Sequence, residues 1–396
     1  MVNFFNLSLT ELVSYLESKG HKSFRARQLW KWVYQKSILN IDEMSDLSKD
    51  FKLKLPEYFS WHLPKILKHW LSKDGTLKFL LSTDDGLQFE SVLIPSRGRL
   101  TICVSSEVGC NLACDFCFTG KQKLKRRLVT SEIVGQVFLL RQFLFARPEI
   151  LYDLLKLTGQ KLFVDAPGQP KNQKIWLEQN KSNNPDFLKD IVQWQANLHA
   201  HAPTNNIVFM GMGEPLDNED NVFKSILILK EQLGFNYSGK KITLSTAGLV
   251  DKIPLVAKSG VRLAVSLNAS NDKIRSSIMP INKKWNIEAL LNSCSEYVKK
   301  TGELVTFEYV LLKGITDSVE SADQLYSLTK RVPCKINLIP FNPHPGSSYK
   351  TPSQSSIDKF HQRLYKKGAQ VLLRRKMGSD IYAACGQLTS LNNQME

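Results

Sequence analysis

Apolar runs long enough to cross a membrane are missing from this sequence. Its 396 residues contain no run of about 18 apolar residues, the length that a membrane-spanning helix requires. A secretory signal is missing too, because MVNFFNLSLTELVSYLESKGHK carries acidic residues and helical periodicity rather than a basic start and an apolar core. We therefore expect a protein of the reducing cytoplasm that has no membrane partner.

Acidic side chains are too few to balance the basic ones. Asp and Glu number 37 against 53 Lys and Arg, which gives a formal net charge of +16. Such a surplus favours a polyanionic partner, most simply a nucleic acid, although a basic surface that only aids solubility has the same composition. With 42% hydrophobic and 23% charged residues, the chain is otherwise typical of a globular protein.

Cysteine is scarce as well, and its number is odd. Seven cysteines argue against a purely structural disulfide framework. Three of them, Cys110, Cys114 and Cys117, follow the spacing C-x-x-x-C-x-x-C within TICVSSEVGCNLACDFCFTG. Thiolates at this spacing can converge from one short loop on a single metal centre.

The surrounding residues distinguish four kinds of metal site. A c-type haem site needs a His after the last cysteine, where Phe118 stands. A structural zinc site takes four protein ligands, but the sequence has no second C-x-x-C pair. Electron-transfer clusters usually take a fourth cysteine. The spacing is therefore most typical of a 4Fe–4S cluster with three cysteine ligands and one open iron.

Strands and helices alternate along the second half of the chain. From residue 206 onward the apolar stretches NIVFMG, KITLSTA, RLAVSLNA, LVTFEYVLL, KINLIPF and QVLLRR read as strands with helices between them. With the strand near residue 102 they predict six or seven parallel strands covered by helices. We expect an α/β fold, an open or partial βα barrel whose site lies at the C-terminal strand ends.

Three other segments differ from this pattern. Residues 8–70 have helical periodicity and predict a compact helical unit. Residues 76–105 predict β structure with a turn at Asp84-Asp85-Gly86. Residues 147–204 contain DAPGQPKNQK and EQNKSNNPD, so we expect an insertion that is ordered in part at most.

Two basic segments are candidates for contacting a nucleic acid. In SFRARQLWKWVYQKS, the aromatic residues either face the core, as in most amphipathic helices, or stack on bases. Helical spacing places Trp30 and Tyr34 on one face and Trp32 on another, so both interpretations can hold. The run KQKLKRRLV has five basic residues from Lys121 to Arg127 and is either a phosphate-binding or a merely solvated surface.

Polar residues follow the predicted strands at their C-terminal ends. Any one of them alone is more typical of a cap or a turn, but in register with the cysteine loop they favour one ligand site. In GMGEP, glycines let the backbone approach a ligand and a carboxylate can accept hydrogen bonds from an ammonium. The candidate ligand-binding residues are Gly213, Glu214, Ser245, Ser266, Leu267, Asn268 and Asn342.

The cysteine spacing resembles that of the radical S-adenosylmethionine (SAM) superfamily, in which the open iron binds the amino and carboxylate groups of SAM. Two further cysteines, Cys103 and Cys385 in SDIYAACGQL, extend the resemblance to the RlmN/Cfr family of adenine methyltransferases. The resemblance covers nearly the whole chain outside residues 147–204. GMGEP and NLIPFNP are closer to the RlmN members than to the Cfr members.

The resemblance implies four segments. Residues 1–75 would form an N-terminal helical domain that binds RNA, and residues 76–98 a β-hairpin linker. Residues 99–378 would form a partial (βα)6-type radical SAM barrel, interrupted by the insertion 147–204. Residues 379–396 would carry the catalytic cysteine.

The resemblance also implies a reaction that uses two SAM molecules per turnover. One would methylate Cys385, and the second, bound to the cluster, would yield a 5′-deoxyadenosyl radical that takes hydrogen from the new methyl group. The carbon radical would add to carbon 2 of an adenine, which is too electrophilic to attack a sulfonium. Cys103 would then attack the Cys385 sulfur, and Glu90 in FESVLIP would accept a proton.

The implied substrates are 23S rRNA and tRNA, in the latter at the adenosine next to the anticodon. The implied reductant is a protein such as flavodoxin, and the chain is expected to act as a monomer. In one departure from the family, its SLHA motif reads SLNA here, with Asn268 in place of His. Asparagine can still form hydrogen bonds, but a role that requires a titrating imidazole would be lost.

Two alternatives stay open. One is a Cfr-like enzyme that methylates carbon 8 of adenosine in rRNA. The other is an iron–sulfur protein that carries electrons or binds RNA without catalysis. The pair Cys103 and Cys385 argues against the second alternative, because cluster binding does not need it.

Overall fold

The structure is a computed structural model that describes residues 1–159 and 204–389. Most of the expected insertion and the last residues of the expected catalytic segment lie outside the described residues. The strands of the described chain are β1 (Val2–Asn3), β2 (Phe59–Ser60), β3 (Lys65–Leu71), β4 (Leu77–Ser82), β5 (Gln88–Ser96), β6 (Arg99–Cys103), β7 (Glu107–Val108), β8 (Arg126–Arg127), β9 (Thr204–Phe209), β10 (Ile242–Thr246), β11 (Arg262–Ser266), β12 (Val305–Leu311), β13 (Cys334–Pro340) and β14 (Val371–Leu373).

Helices precede the sheet and then alternate with its strands. They are α1 (Leu9–Ser18), α2 (Ser23–Trp30), α3 (Lys49–Tyr58), α4 (Thr130–Phe145), α5 (Pro148–Thr158), α6 (Glu219–Lys230), α7 (Ile253–Ser259), α8 (Asp272–Ile278), α9 (Ile287–Thr301), α10 (Val319–Thr329) and α11 (Gln354–Lys366). In the ranges that the structure covers, no helix is both long enough and apolar enough to span a membrane.

Ten strands join in one sheet, in the order β14-β13-β12-β11-β10-β9-β6-β5-β4-β3. Neighbouring strands are parallel from β6 through β9 to β14, which confirms the predicted parallel sheet. Helices cover the sheet, so its strands are apolar; in β12, for example, Val305, Phe307 and Leu311 are fully buried. Parallel strands end at the same edge, and the residues that follow them meet there.

Strands β3, β4 and β5 extend the sheet beyond β6 as an antiparallel unit. Strands β4 and β5 confirm the predicted hairpin. The prediction that residues 8–70 form a helical unit is wrong at its end, because Lys65–Leu71 is a strand paired with β4. Strand β3 lies at the sheet edge and is mostly exposed, so KILKHWL has no clear apolar alternation. Strand β3 is held by backbone hydrogen bonds to β4, and its own sequence does not predict this pairing.

The aromatic residues at the end of α2 face the core. Trp30 and Tyr34 are fully buried and Trp32 is only 7% exposed, so the prediction that Trp32 lies on a separate, RNA-contacting face is wrong. The cause is a π-helical turn over Lys31–Gln35, whose wider turn rotates the later side chains relative to an α-helix. The indole N–H of Trp32 also has a partner, since it donates to the Asp46 carboxylate.

The expected insertion begins with an ordered helix. Helix α5 buries Leu151, Leu154 and Leu155 and contacts β5 and β6. An ordered helix at its start is compatible with the prediction of an insertion that is ordered in part at most, and its apolar patch is the buried face of an amphipathic helix. The rest of that prediction concerns residues 160–203, outside the described residues.

Candidate active site at the strand ends

The three predicted cluster cysteines lie in the loop after β6. The Cys117 N–H donates to the carbonyl oxygen of Cys114, and the Cys110 N–H donates to that of Gln122, both at 3.1 Å. Gly120 packs so tightly that a Cβ there would lie 2.6 Å from the Cys114 carbonyl oxygen. Only glycine allows this approach, so the loop conformation depends on it.

One cavity at the strand ends collects most of the predicted site residues. Its volume is about 990 Å³, counting the space that is open to solvent. The structure therefore brings the cysteine loop and the strand-end residues together, while their individual roles stay predictions. The predicted residues among its lining are Cys110, Cys114, Cys117, Gly213, Glu214, Ser245, Ser266, Asn268, Asn342 and Cys385.

The chemistry of the three loop thiols fits an iron–sulfur cluster. Burial raises the pKa of Cys110, Cys114 and Cys117, and iron would offset this cost because metals bind thiolates and displace their protons. The Leu112 N–H also lies 3.5 Å from the Cys110 Sγ. Hydrogen bonds to sulfur and soft thiolate donors are both features of iron–sulfur sites.

The geometry of the three loop thiols can be compared with that of a site for a single metal ion. In residues 1–159 and 204–389, no three His, Cys, Asp or Glu side chains converge where one ion would sit. Each cysteine of a 4Fe–4S cluster binds an iron of its own, so its ligands stand further apart than those of a single ion.

The GMGEP motif forms a tight turn after β9. Gly213 has a φ of 95°, and a Cβ there would lie 2.5 Å from the Glu107 Cβ. Glu214 is buried, and its two carboxylate oxygens accept from the N–H groups of Leu216 (3.1 Å) and Ala247 (2.7 Å). Burial raises the pKa of Glu214 to about 7, against the effect of these donors. A ligand cation would meet a carboxylate that is already oriented.

Asn268 is the predicted departure from the family motif, and its backbone suits asparagine. Its φ of 57° lies in the left-handed region, which asparagine adopts more readily than most residues. Its Oδ1 accepts from the Val310 N–H at 3.0 Å, and its Nδ2 lies 3.4 Å from the Met279 Sδ. Asn268 therefore ties the end of β11 to β12 while it lines the cavity.

The neighbouring strand-end residues differ in their hydrogen-bond partners and in whether they line the cavity. Ser245 Oγ donates to Glu308 Oε2 at 3.2 Å, and the Ser266 carbonyl accepts from Arg275 Nη2 at 3.1 Å. Leu267 does not line this cavity, because its side chain is fully buried in the core. Its carbonyl accepts from Arg275 Nε at 3.0 Å, and its role in ligand binding stays a prediction.

Three charged residues near the cavity were not predicted. Arg275 on α8 is fully buried and also donates to the Ala247 carbonyl at 2.6 Å. Glu308 lines the cavity and lies 3.4 Å from Arg374 Nη1. A glutamate within the apolar strand TFEYVLL was a signal for Glu308. Helix α8 has only seven residues, too few for a periodic pattern, so nothing pointed to Arg275.

Asn342 links the cavity to the C-terminal part of the chain. Its Nδ2 donates to the Cys385 carbonyl at 3.2 Å. Its Oδ1 is buried and has no hydrogen-bond partner in the described structure. A buried acceptor without a partner costs about 1–3 kcal/mol, so this oxygen is suited to a donor group on a ligand.

Cys103 and Cys385 line a second cavity, of about 530 Å³, that adjoins the first. The two cavities share four lining residues, which are Cys385, Asn342, Met210 and Ile339. Burial raises the pKa of Cys103 to about 12 and also raises that of Cys385, while the Arg374 guanidinium opposes both shifts. Both cysteines are free thiols in this structure. Arg374 is thus the nearby cation that favours their thiolates.

The Cys385 segment, as we call residues 378–389, is fastened to the cysteine loop. The Gly386 carbonyl accepts from the Phe118 N–H at 2.8 Å, and the Leu388 carbonyl accepts from Thr119 Oγ1 at 2.7 Å. These bonds join parts of the chain that are far apart in sequence. They hold the second predicted catalytic cysteine beside the predicted cluster site.

Glu90, the predicted proton acceptor, lines neither of these two cavities. It is buried on β5, where Oε1 lies 2.9 Å from Lys78 Nζ and Oε2 accepts from the Thr389 N–H at 2.9 Å. Burial raises the pKa of Glu90 and lowers that of Lys78, and the attraction between their charges opposes both shifts. The catalytic role of Glu90 stays a prediction.

The basic run after the cysteine loop divides into paired and exposed residues. Arg126 lies 2.7 Å from both Asp85 and Glu132, so it joins the β4–β5 turn to α4 and is not a free phosphate ligand. Lys123 and Lys125 are exposed beside the loop. The phosphate-binding interpretation therefore stays open for these two lysines.

Comparison with known proteins first defines the class. The family described as the ribosomal RNA large subunit methyltransferase N-terminal domain matches residues 2–60, and the radical SAM superfamily matches residues 172–325. A crystal structure of a radical SAM methyltransferase from Sphaerobacter thermophilus has a TM-score of 0.80 and 33% identity, covering 99% of this chain and 100% of that one. The fold is that of a radical SAM methyltransferase.

Proteins of similar sequence identify the family within this class. A dual-specificity RNA methyltransferase RlmN from Bdellovibrio bacteriovorus is 48% identical over 393 residues, which are 99% of this chain and 85% of the relative. Another from Geobacter sulfurreducens is 40% identical over 391 residues, 98% of this chain and 92% of the relative. The chain belongs to the RlmN family. The predicted family and the predicted partial barrel with its N-terminal domain are both confirmed.

Proposed function

We propose that the chain methylates carbon 2 of adenosine in 23S rRNA and, in tRNAs, of the adenosine next to the anticodon, through a methyl group carried on Cys385. The observation that carries this proposal is that Cys385 lines both cavities. It lies between the cysteine loop and Cys103, as expected of a residue that is first loaded with a methyl group and later released by a second thiol.

An RNA substrate is supported by the relatives and by the surface. The relatives are named dual-specificity RNA methyltransferases. The net charge of +16 and the exposed Lys123 and Lys125 suit a phosphate backbone. A ring carbon within a base stack cannot be reached by a buried thiol, so the target adenine would be turned out of its stack.

The loop cysteines would hold one 4Fe–4S cluster per chain. When bound, the cluster supplies the electron for the reductive cleavage of SAM. Glu214 would orient the SAM ammonium through its carboxylate, and Asn342 would accept a hydrogen bond at its unpaired Oδ1. The further proposed SAM contacts are Gly213, Ser245, Ser266, Asn268 and the main chain of Leu267, and the proposed cluster ligands are Cys110, Cys114 and Cys117.

Cys385 would act first as a nucleophile. Its sulfur takes a methyl group from one SAM; a C–S bond forms, S-adenosylhomocysteine leaves, and the thiol proton passes to solvent. Because burial raises the pKa of Cys385, this step needs the Arg374 guanidinium, which favours the thiolate.

Cys103 would end the reaction. Its thiolate attacks the Cys385 sulfur of the protein–RNA adduct, so that an S–S bond forms, the C–S bond breaks and the electron pair returns to the carbon on adenine. That carbon is then protonated to a methyl group, and a reductant restores the two thiols. Glu90 would accept the proton lost from carbon 2 as the adduct radical gives up one electron to a one-electron acceptor such as an oxidised iron–sulfur cluster. Neutralising the Glu90 carboxylate would weaken its contacts with Lys78 and Thr389.

Other expectations are part of the same proposal. Two SAM molecules would be consumed per turnover, one for the methyl group and one for the radical. The reductant would be a protein such as flavodoxin, and the enzyme would act as a monomer in the cytoplasm.

The proposal is tested with purified, anaerobically reconstituted protein, SAM with a deuterated methyl group, and 23S rRNA or tRNA transcripts. Nucleosides from the digested RNA are separated by liquid chromatography and identified by mass spectrometry against 2-methyladenosine and 8-methyladenosine standards. We expect labelled 2-methyladenosine from wild type and none from Cys385→Ala. The matched control Cys294→Ala, which removes a buried thiol from α9, should keep the activity.

Each other outcome has a definite meaning. Labelled 8-methyladenosine would establish the Cfr-like alternative. A cluster-loaded protein that binds RNA but forms no methylated base would establish the non-catalytic alternative. Full activity of Cys385→Ala would refute the methyl carrier proposed here.

A further inference from the structure

A buried ion pair lies beneath the end of the Cys385 segment. Lys78 on β4 and Glu90 on β5 are 0% and 2% exposed, and their Nζ and Oε1 atoms are 2.9 Å apart. Lys78 stands opposite Val92, and Glu90 opposite Leu80, so the pair is diagonal on one face of the sheet. Val92 in turn stands opposite Cys103 on β6. The ion pair and the predicted resolving cysteine therefore share a sheet face.

Glu90 connects this pair to the cysteine loop. Its Oε2 accepts from the Thr389 N–H at 2.9 Å, and Gln122 Nε2 donates to Thr389 Oγ1 at 2.8 Å. The Gln122 carbonyl accepts from the Cys110 N–H at 3.1 Å. A continuous series of short contacts thus leads from the ion pair through the end of the Cys385 segment to a predicted cluster ligand.

The start of the Cys385 segment is held by the same antiparallel extension. The Gly378 N–H donates to Asp74 Oδ2 at 2.7 Å, and Ser72 Oγ donates to Asp380 Oδ1 at 2.5 Å. Asp74 and Ser72 belong to the turn between β3 and β4. Strands β3 to β5 therefore hold both ends of the segment, with Cys385 between the two attachments.

We propose that Lys78 is a positioning residue for methyl transfer. Its ammonium holds the Glu90 carboxylate in place, and Glu90 in turn fastens the end of the Cys385 segment, so that Cys385 stays between the two cavities. A buried pair adds little net stability, but removal of one partner leaves a buried charge alone and is strongly unfavourable. The inference rests on the proposed function only in that Cys385 is taken as the methyl carrier.

The first test is hydrogen exchange, followed by mass spectrometry, on the full-length reconstituted protein without RNA. We expect peptides from residues 383–389 to exchange at least about tenfold faster in Lys78→Met, because the Glu90 carboxylate left without its cation turns away from its buried position and the Thr389 amide loses its acceptor. In the double variant Lys78→Met/Glu90→Gln no charge is buried, and the introduced amide oxygen can still accept from Thr389. Its exchange should return to within about threefold of wild type.

The second test separates positioning from general loss of structure. After incubation with SAM, the methyl group on Cys385 is measured as a mass increase of its peptide, and methylated adenosine is measured separately. Lys78→Met should slow loading of Cys385, and the double variant should restore it. If Glu90 is also the proton acceptor, the double variant loads Cys385 but forms little methylated adenosine. The control Lys65→Met, on the exposed edge strand β3, should match wild type in all readouts.

Two results would overturn the inference. One is wild-type protection of residues 383–389 together with wild-type loading of Cys385 in Lys78→Met. The other is a double variant whose residues 383–389 exchange at least about tenfold faster than those of wild type, a comparison that does not require Lys78→Met to fold. Because protection is measured without RNA, the inference stands or falls independently of whether the wild-type protein methylates adenosine.

Discussion

Asn342 donates its side-chain amide to the carbonyl of Cys385 at 3.2 Å, while its own Oδ1 stays buried and unpaired in the described structure. The same side chain lines both cavities. One amide thus orients the proposed methyl carrier and offers an acceptor to the ligand beside it.

Replacement of this amide should weaken SAM binding. We expect Asn342→Ala to raise the dissociation constant of SAM about tenfold, since one hydrogen bond contributes about 0.5–1.5 kcal/mol. Isothermal titration calorimetry on the cluster-loaded protein measures it. The control is Gln370→Ala, which replaces an exposed residue directly before β14, at the edge of the sheet away from the site. Unchanged affinity in Asn342→Ala would remove Asn342 from the SAM site.

Removal of one loop thiol should abolish the cluster. We expect wild type to retain about four irons and four sulfides per chain after anaerobic reconstitution, and Cys114→Ala to retain almost none. Cys294→Ala, which is buried on α9, should keep the wild-type content. A wild-type protein that takes up zinc and retains no iron would contradict the radical mechanism.

Replacement of each of the two proposed catalytic cysteines should have a different effect. Cys385→Ala has no sulfur to load, so no methylated RNA and no adduct should form. Cys103→Ala can be loaded but not released, so a covalent protein–RNA adduct should accumulate and appear on a denaturing gel. A fully active Cys103→Ala enzyme would show that another thiol resolves the adduct.

Thiol labelling should show the effect of burial on Cys103. Because its pKa is raised to about 12 from about 9, its thiolate fraction at pH 8 falls about 1,000-fold. We expect iodoacetamide to label Cys103 at least that much more slowly in the native protein than in urea. The native rate should rise about tenfold per pH unit while the fold persists. Equal rates in the native and unfolded states would contradict the assigned burial.

The exposed lysines beside the cysteine loop should act through charge alone. We expect Lys123→Ala and Lys125→Ala each to weaken RNA binding and to reduce the slope of log K against log salt by about 0.7–0.9. Fluorescence anisotropy at several salt concentrations measures this slope. Lys366→Ala, exposed on α11, should leave it unchanged. An unaltered slope in both loop variants would place the RNA elsewhere.

Much of the fold was predictable because it depends on local patterns. Apolar runs bounded by polar turns predicted the parallel strands and the helices between them. The edge strand β3 was not predicted, since its order comes from pairing with β4 rather than from its own sequence. The burial of Trp32 was also missed, because a π-helical turn breaks the period on which the prediction relied.

The sequence predicted the site residues that belong to motifs. It did not predict the charged residues that come together only in the folded structure. The spacing of Cys110, Cys114 and Cys117 and the strand-end positions of Glu214 and Asn342 were readable one by one. Glu308 stood out as a glutamate within an apolar strand. Its pairing with Arg374 and the contacts of Arg275 join different strands and helices, and a single sequence contains no sign of such pairs.

The sequence by itself determined the three-cysteine loop, the order of parallel strands and the residues that follow them, because each is a short-range property of the chain. Only the tertiary structure decided that Cys385 lies between two cavities, and that Lys78 and Glu90 hold the segment that carries it. Those contacts join residues hundreds of positions apart, and they form only when the sheet brings its distant strands to one edge.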